Sequence, residues 1–405
     1  MTEHKNTPEL RFPEFKEEWK FQKLGNLAQF SKGKSLSKKD LNINGNPCIL
    51  YGELYTKYGA ILNKVYSKTS TQNDSLVFSK RNQILIPSSG ETDIDIATAT
   101  AIDTDVKIAI GGDLNIITPI NSDGRFISLY INGKGKYNLA KYAQGKSVVH
   151  LYNSDIKKLN FYLPTNMVEQ KKIGNFFSKL DRQIELEEEK LELLEQQKRG
   201  YIQKFFSQEL RFKDANGNSY PDWSIKKIED ISKVNKGFTP NTKNDEYWDE
   251  LNENWLSIAG MTQKYLYKGN KGITKKGASK HAKVDKDTLI MSFKLTLGKL
   301  AIVKEPIYTN EAICHFVWKE SNVNTEYMYY YLNSINISTF GAQAVKGVTL
   351  NNDSINSIIV KLPVIQEQNK IAYFFNKLDK LIEKQSSKVE LLKQRKQGLL
   401  QKMFV

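Results

Sequence analysis

From Ile173 to Phe205 the apolar positions fall at alternating steps of four and three: Ile173, Phe177, Leu180, Ile184, Leu191, Leu194, Tyr201 and Phe205, with polar breaks at Glu187 and Lys198. This heptad spacing predicts a long amphipathic helix with a coiled-coil seam. The spacing returns as Ile371, Phe375, Leu378, Ile382, Val389, Leu392, Leu399 and Met403, and its breaks, Gln385 and Lys396, occupy the same heptad positions. Each seam corresponds to roughly 50 Å of helix. An antiparallel pairing in which Leu180 meets Met403, Ile184 meets Leu399, Leu191 meets Leu392 and Phe205 meets Leu378 also sets Glu187 against Lys396 and Lys198 against Gln385. A polar position inside a seam sets register at some cost in stability, so this register is the expected one. Two helices that each pack on their own domain are the alternative. Beside the seam lie Phe176, Ile202, Phe206, Phe374 and Leu400, a second apolar stripe that a two-stranded coil does not need. It predicts either docking of further helices, from this chain or a partner, or packing against the globular halves.

The helices belong to a larger repeat. Glu9-Leu10-Arg11-Phe12 returns as Glu209-Leu210-Arg211-Phe212, and Trp19 and Gly33 return as Trp223 and Gly237. Leu163-Pro164 followed by Glu169-Gln170 returns as Leu362-Pro363 followed by Glu367-Gln368. A unit this long is too large for a solenoid repeat. It predicts four segments: a globular domain over residues 1–165, a helix over 166–207, a second domain over 208–364 and a second helix over 365–405. The globular parts read as α/β (α+β), with many short strands. Gln83–Pro87 and Lys107–Ile110 are strand-like in the first half, Thr288–Ser292 and Leu300–Val303 play the same parts in the second, and Asn324–Leu332 reads as a tyrosine-rich helix. Leu210-Arg211-Phe212 directly follows the first helix, whereas its twin Leu10-Arg11-Phe12 has no helix before it. Symmetry therefore expects the N-terminal segment beside the end of the second helix near Phe404, closing the two repeats into a pseudo-two-fold ring.

Charge changes the picture from architecture to partner. The net charge of +15 divides into +6 over residues 1–166, zero over 167–206, +4 over 207–365 and +5 over 366–405. A positive surface spread over folded domains suits a polyanion, although a lysine-rich soluble protein would share it. Basic loops occur at matching places: Lys32, Lys34, Lys38 and Lys39 around Gly33, and Lys233, Lys236 and Lys243 around Gly237. Lys134, Lys136, Lys141 and Lys146 form another set. The stretch Lys264–Lys286 adds Lys264, Lys268, Lys271, Lys275, Lys276, Lys280, Lys283 and Lys286, interleaved with Tyr265 and Tyr267. Such a mixture suits nucleic acid, with lysines on phosphates and polar groups on bases.

Catalytic constellations are missing. Gly145-Lys146-Ser147 has the tail of a phosphate-binding loop, but Ala140 stands at the first glycine position and no apolar strand leads into it. Cys314-His315 is adjacent rather than metal-spaced and reads as a buried strand. Cys48 and Cys314 form no pattern. No apolar run approaches membrane-spanning length, so a reduced, cytoplasmic protein without membrane attachment is expected.

The opening Pro8-Glu9-Leu10-Arg11-Phe12-Pro13, the twice-used Leu-Pro…Glu-Gln-x-x-Ile-x-x-x-Phe-x-x-Leu-Asp boundary and the run from Ile273-Thr274 to Ser292 resemble the specificity subunit of type I restriction–modification systems. The resemblance covers essentially the whole chain, strongly in the helices and loosely between them. It implies two target-recognition domains, each reading one half of a bipartite double-stranded DNA site. It also implies helices that act as a ruler and as the dock for two adenine methyltransferase subunits. Restriction and translocation subunits would join through the assembled complex. S-adenosylmethionine, ATP and magnesium would sit on those partners, with no cofactor, metal or catalytic residue on this chain. The positions falling on the family's DNA-reading loops are Lys32, Lys34, Ser35, Lys38, Lys39, Ser88, Ser89, Gly90, Thr92, Lys134, Lys136, Lys146 and Ser147 in the first half. In the second they are Lys236, Phe238, Thr239, Lys264, Lys275, Lys276, Lys280, Lys294, Thr296 and Lys346. Those falling on its conserved helical regions, and so expected to meet partners, are Phe176, Phe177, Leu180, Ile202, Phe206, Phe374, Phe375, Leu378 and Leu400. The competing reading is a stand-alone two-headed DNA-binding regulator, which would need neither methyltransferase nor second stripe.

Overall fold

A computed structural model of the chain describes residues 6–34, 36–62, 64–72, 75–294, 296–344 and 347–405. The heptad segments form two long helices, Met167–Phe206 and Ile365–Lys402. The chain divides into two compact units, residues 1–190 with 385–405 and residues 191–384. These units cut across the four segments read from the sequence, because each combines part of one long helix with part of the other.

In the first unit a five-stranded sheet has the order Ala28–Lys32, Leu114–Pro119, Ile84–Pro87, Thr100–Ile102, Ile61–Leu62, with only the last pair parallel. The second unit repeats it as Ser232–Lys236, Ile313–Trp318, Leu289–Ser292, Leu300–Val303, Tyr265–Leu266, again with the last pair parallel. The partner of Leu300–Val303 is thus Thr100–Ile102 and not the segment ending at Ile110. Ala109–Ile110 belongs to a second sheet of the first unit, between Asn46–Ile49 and Val77–Phe78. Small buried residues misled the periodicity: Ala97, Ala99 and Ala101 fill the core without making an apolar run. The tyrosine-rich helix runs Thr325–Ser334, and the Asn324 side chain caps it by accepting from the Tyr327 N–H at 2.8 Å.

The repeated Glu-Gln pair explains itself in both units. Glu169 is buried and accepts from Arg11 Nε at 2.7 Å, Arg11 Nη2 at 2.8 Å and Trp19 Nε1 at 3.2 Å. Glu367 likewise accepts from Arg211 Nη2 at 2.8 Å and Trp223 Nε1 at 3.0 Å. Gln170 accepts from the Asp123 N–H at 2.9 Å and donates to the Pro164 carbonyl at 2.7 Å, and Gln368 does the same for Asn324 and Pro363 at 2.8 Å each. Three segments far apart in sequence are thereby joined at the start of each long helix. As symmetry expects, the N-terminal segment lies on the end of the second helix: the Leu10 N–H donates to the Lys402 carbonyl at 2.9 Å, as Leu210 does to Lys204 at 3.0 Å. Phe404 packs edge-on or tilted among the rings of Trp19, Phe126, Tyr130 and Phe177.

The helix segments run antiparallel within each unit, but one heptad away from the expected register. In the first unit Lys396 pairs with Asp181 at 2.6 Å instead of Glu187, while Glu187 accepts from Gln385 at 2.7 Å and from Lys388 at 2.5 Å. In the second unit Lys198 pairs with Asp379 at 2.5 Å instead of Gln385. In this register Phe177 and Met403 are both buried in the first unit, and Phe205 sits on Phe375 in the second. Two of the polar breaks, Glu187 and Gln385, meet each other here while the apolar positions at the helix ends are buried. Lys198 and Lys396 each pair with the aspartate of a Lys-Leu-Asp motif, Asp379 and Asp181 respectively.

The second apolar stripe turns inward. Phe177, Phe206, Phe375 and Leu400 are buried in their own unit's core, Leu180 joins them, and Phe176, Ile202, Phe374 and Leu378 pack against the same clusters. Five of these nine are buried and the other four are half-buried. Phe206 meets Trp223, Tyr327 and Tyr331, and Phe176 and Phe374 meet Phe12 and Phe212, where the sequence had also offered a partner helix.

Cys314 and His315 lie on the buried strand Ile313–Trp318. Burial pushes the Cys314 thiol up to about 12 and the His315 imidazole down to about 4, with His315 Nε2 and the Thr309 hydroxyl in hydrogen-bond contact at 2.5 Å. Between pH 6.5 and about 4 the unfolded chain therefore binds a proton that the folded unit refuses. Stability should fall as pH drops through that window, by about 2 kcal/mol at pH 5. Unfolding of wild-type and His315→Gln chains at pH 7 and pH 5 checks this: the variant should lose about that much less on acidification.

Candidate nucleic-acid interface

Two glycines begin the candidate loops because backbone passes too close for a side chain. A Cβ on Gly33 would strike the Gly111 carbonyl, and one on Gly237 the Thr309 carbonyl. Each close approach directs the chain out of the sheet at the end of the strand carrying Lys32 or Lys236.

In the first unit the structure joins two of the predicted loops. The strand Ser89–Gly90 pairs with Val149–His150, so the Ser88–Thr92 turn lies against the Gln144–His150 hairpin that carries Lys146 and Ser147. Lys32 joins them through its ammonium 5.7 Å over the Tyr152 ring, and Tyr152 stacks with His150 at 6.1 Å. Lys34, Lys38, Lys39, Lys146 and Ser147 are exposed. Other positions support this face without reaching from it. Ser88 and Gly90 are buried, and Thr92 caps the turn Asp93–Ile96, accepting from the Asp95 N–H at 3.1 Å. Glu91 and Asp93 flank that turn, a charge that opposes phosphate. Lys134 is exposed and follows Gly133, whose backbone approaches Leu400 of the second long helix. Gly145 has φ +122° at a hairpin turn with no helix after it, which excludes a phosphate-binding loop.

In the second unit Lys236 and Lys294 lie over the Phe293 ring at 4.6 and 5.7 Å, with Thr296 exposed nearby in sequence. Next to Lys236, Phe238 donates its N–H to the Thr309 carbonyl at 2.8 Å and accepts from Trp255 Nε1 at 3.0 Å, and Thr239 accepts from Asn310 Nδ2 at 2.8 Å. Trp255, Ile273 and Ala278 form a small core beneath, with Phe238, Trp248 and Tyr308 packed on it. Above this core run the exposed Lys275, Lys276 and Lys280, of which Lys276 is tied to Glu246. His281, which the sequence left among scattered histidines, stacks on Phe238.

Lys264 is a correction. Its ammonium is buried against Glu326 at 2.7 Å, Tyr330 at 2.7 Å and Asn376, and burial pushes its pKa down. It locks strand Tyr265–Leu266 to the helices of its own unit and is not available to phosphate. Ser35 and Lys346 lie outside the described residues. The helices show what sequence reasoning missed: Leu193 and Leu391 are 57% and 65% exposed at equivalent positions. The Leu193-Leu194 and Leu391-Leu392 doublets carried that information, since a seam buries only one residue of each.

Two repeated α/β units, each with exposed lysines beside a glycine-initiated loop, define a two-headed polyanion-binding protein. A family model, the type I restriction modification DNA specificity domain, matches residues 16–196 and 220–392. The chain therefore belongs to that family, as a type I restriction–modification specificity subunit with two target-recognition domains. The MjaVIII specificity subunit of Methanocaldococcus jannaschii is 22% identical over 96% of this chain and 93% of its own length. The MjaIX subunit of the same organism is 29% identical over 49% of this chain, and the match spans 48% of that relative. The crystal structure of the type I system S subunit from M. genitalium superimposes with a TM-score of 0.61 at 16% identity, covering 98% of this chain and 99% of that one. Among the described residues no helix is long and apolar enough to cross a membrane, and no group of three or more His, Cys, Asp or Glu side chains could hold a metal ion.

Proposed function

We propose that each unit reads one half of a bipartite double-stranded DNA site, while the long helices set the half-site spacing and dock two adenine methyltransferase subunits. The observation that carries this reading is the uneven repeat. Sheet order, Glu-Gln clamp and helix contacts recur in both units, whereas the loops beside Gly33 and Gly237 diverge, with Lys34 against Phe238 and Lys38 against Thr242. A constant frame with divergent loops fits two readers of two different sequences. The chain itself contributes recognition. Methyl transfer with S-adenosylmethionine, and ATP-driven restriction, belong to partner subunits.

For the dock, the reading moves from the buried stripe to the exposed leucines. Leu193 and Leu391 occupy equivalent places in the two repeats, as two copies of one partner would require. Leu193→Asp with Leu391→Asp should leave the chain folded but abolish co-purification with a methyltransferase. Retained co-purification would move the dock elsewhere. Deleting the chain from its host should erase one methylated bipartite motif from the genome. If every methylated motif persists, the specificity reading fails, and a tight complex with DNA and no methyltransferase would favour the stand-alone regulator.

A further inference from the structure

We propose that His281, held flat on Phe238, is a base-contacting specificity residue of the second unit that reads the N7-bearing edge of a purine. The inference rests on the DNA-reading role proposed above and deepens it.

The two rings lie 3.6 Å apart between centroids, with their planes 3° from parallel. His281 is nevertheless exposed, and neither imidazole nitrogen has a hydrogen-bond partner among the described residues. An exposed side chain ordinarily loses rotamer entropy when it is ordered. Here the stack orders the ring in advance and leaves its polar edge open. The platform beneath it is itself fixed on several sides. The Phe238 N–H and carbonyl are both bonded, its ring meets Tyr308 edge-on at 5.8 Å, and Gly237 is pinned against the Thr309 carbonyl. Lys280, immediately before the histidine, takes φ 78°, a left-handed conformation that turns the chain at this point. This is a preorganised recognition group, not a solvated one.

The surroundings divide the labour. Lys275, Lys280 and Lys283 are exposed without an acidic partner among the described residues, and Lys283 lies 5.7 Å over Tyr308. Ammonium groups so placed suit phosphates, which position the protein without reading sequence. The imidazole offers a different chemistry: a neutral ring carries one N–H donor and one acceptor nitrogen. In the major groove both purines present N7 as an acceptor beside a second group that distinguishes them. A donor nitrogen held at fixed orientation therefore fits purine N7 and discriminates against cytosine, whose major-groove edge offers only a donor. In the first unit the residue after Gly33 is Lys34, with no aromatic platform, so the half-sites should differ at this position.

The test compares His281→Ala with Lys280→Ala in the full chain, expressed with its native partners. Methylated motifs are sequenced in the host, and binding to the cognate site, its single-base variants and random DNA is measured over a salt series. His281→Ala should relax one base position of one half-site, with roughly ten- to a hundredfold less discrimination there and an unchanged salt slope. Lys280→Ala should weaken binding to every sequence and lower the salt slope by about one. An unchanged motif and unchanged discrimination in His281→Ala overturn the proposal. If methylation is lost altogether, binding decides: loss of cognate preference with random-DNA binding intact supports it, and any other pattern overturns it. Failure of the specificity reading itself is distinct, since the motif would then survive deletion of the whole chain.

Discussion

A Glu169→Ala chain should lose about 3 kcal/mol or more of stability in its first unit, the cost of breaking a buried ion pair by removing one partner. The carboxylate is 1% exposed and Arg11 only 12%, so water cannot replace the lost contact. Trp19 loses its acceptor at the same time, which adds the cost of an unsatisfied buried donor. Against a typical domain stability of about 5–15 kcal/mol this is a large fraction. Glu367→Ala should do the same to the second unit through Arg211 and Trp223. Hydrogen exchange on the full chain would localise each loss: Glu169→Ala should deprotect the first unit and Glu367→Ala the second. Losses below about 1 kcal/mol would mean that the clamp is redundant with the aromatic packing around it.

Exchanging the first recognition domain should change one half of the methylated motif and leave the other half and the spacing intact. The fold dictates where to cut. Strand Lys20–Lys23 pairs with Asn160–Leu163, so the exchange should run from residue 24 to residue 159 and keep that pair with the clamp. The inserted domain must also supply counterparts of Phe126 and Tyr130, which meet Phe404. A motif altered in both halves, or in neither, would refute modular reading. A changed spacing with both half-sites intact would instead place the ruler in the recognition domain and not in the helices.

Much of the frame was legible because the repeat prints each motif twice. The long helices, the strands Ile84–Pro87 and Leu289–Ser292 and the N-terminal segment near Phe404 all stood in the sequence pattern. The candidate interface was legible only in outline. Lysine clusters marked the loops around Gly33 and Gly237, but composition cannot tell an exposed ammonium from one committed to a carboxylate. Lys275 and Lys264 look alike in sequence, yet one is exposed and the other is buried against Glu326. His281 was invisible as a candidate because its partner, Phe238, lies far away in the chain and joins it only when the small core of Trp255, Ile273 and Ala278 forms.

Periodicity by itself determined that two heptad helices exist, which faces are apolar and that the molecule is a duplication, since spacing along a helix is a local property. It could not determine their register, because a heptad pattern slid by seven residues is still a heptad pattern. The tertiary structure decided among these near-equal registers by burying Phe177 and Phe375, and it turned the second stripe toward the cores of its own units. Burial is summed over everything a face can reach, and what a face can reach is known only once the chain has folded.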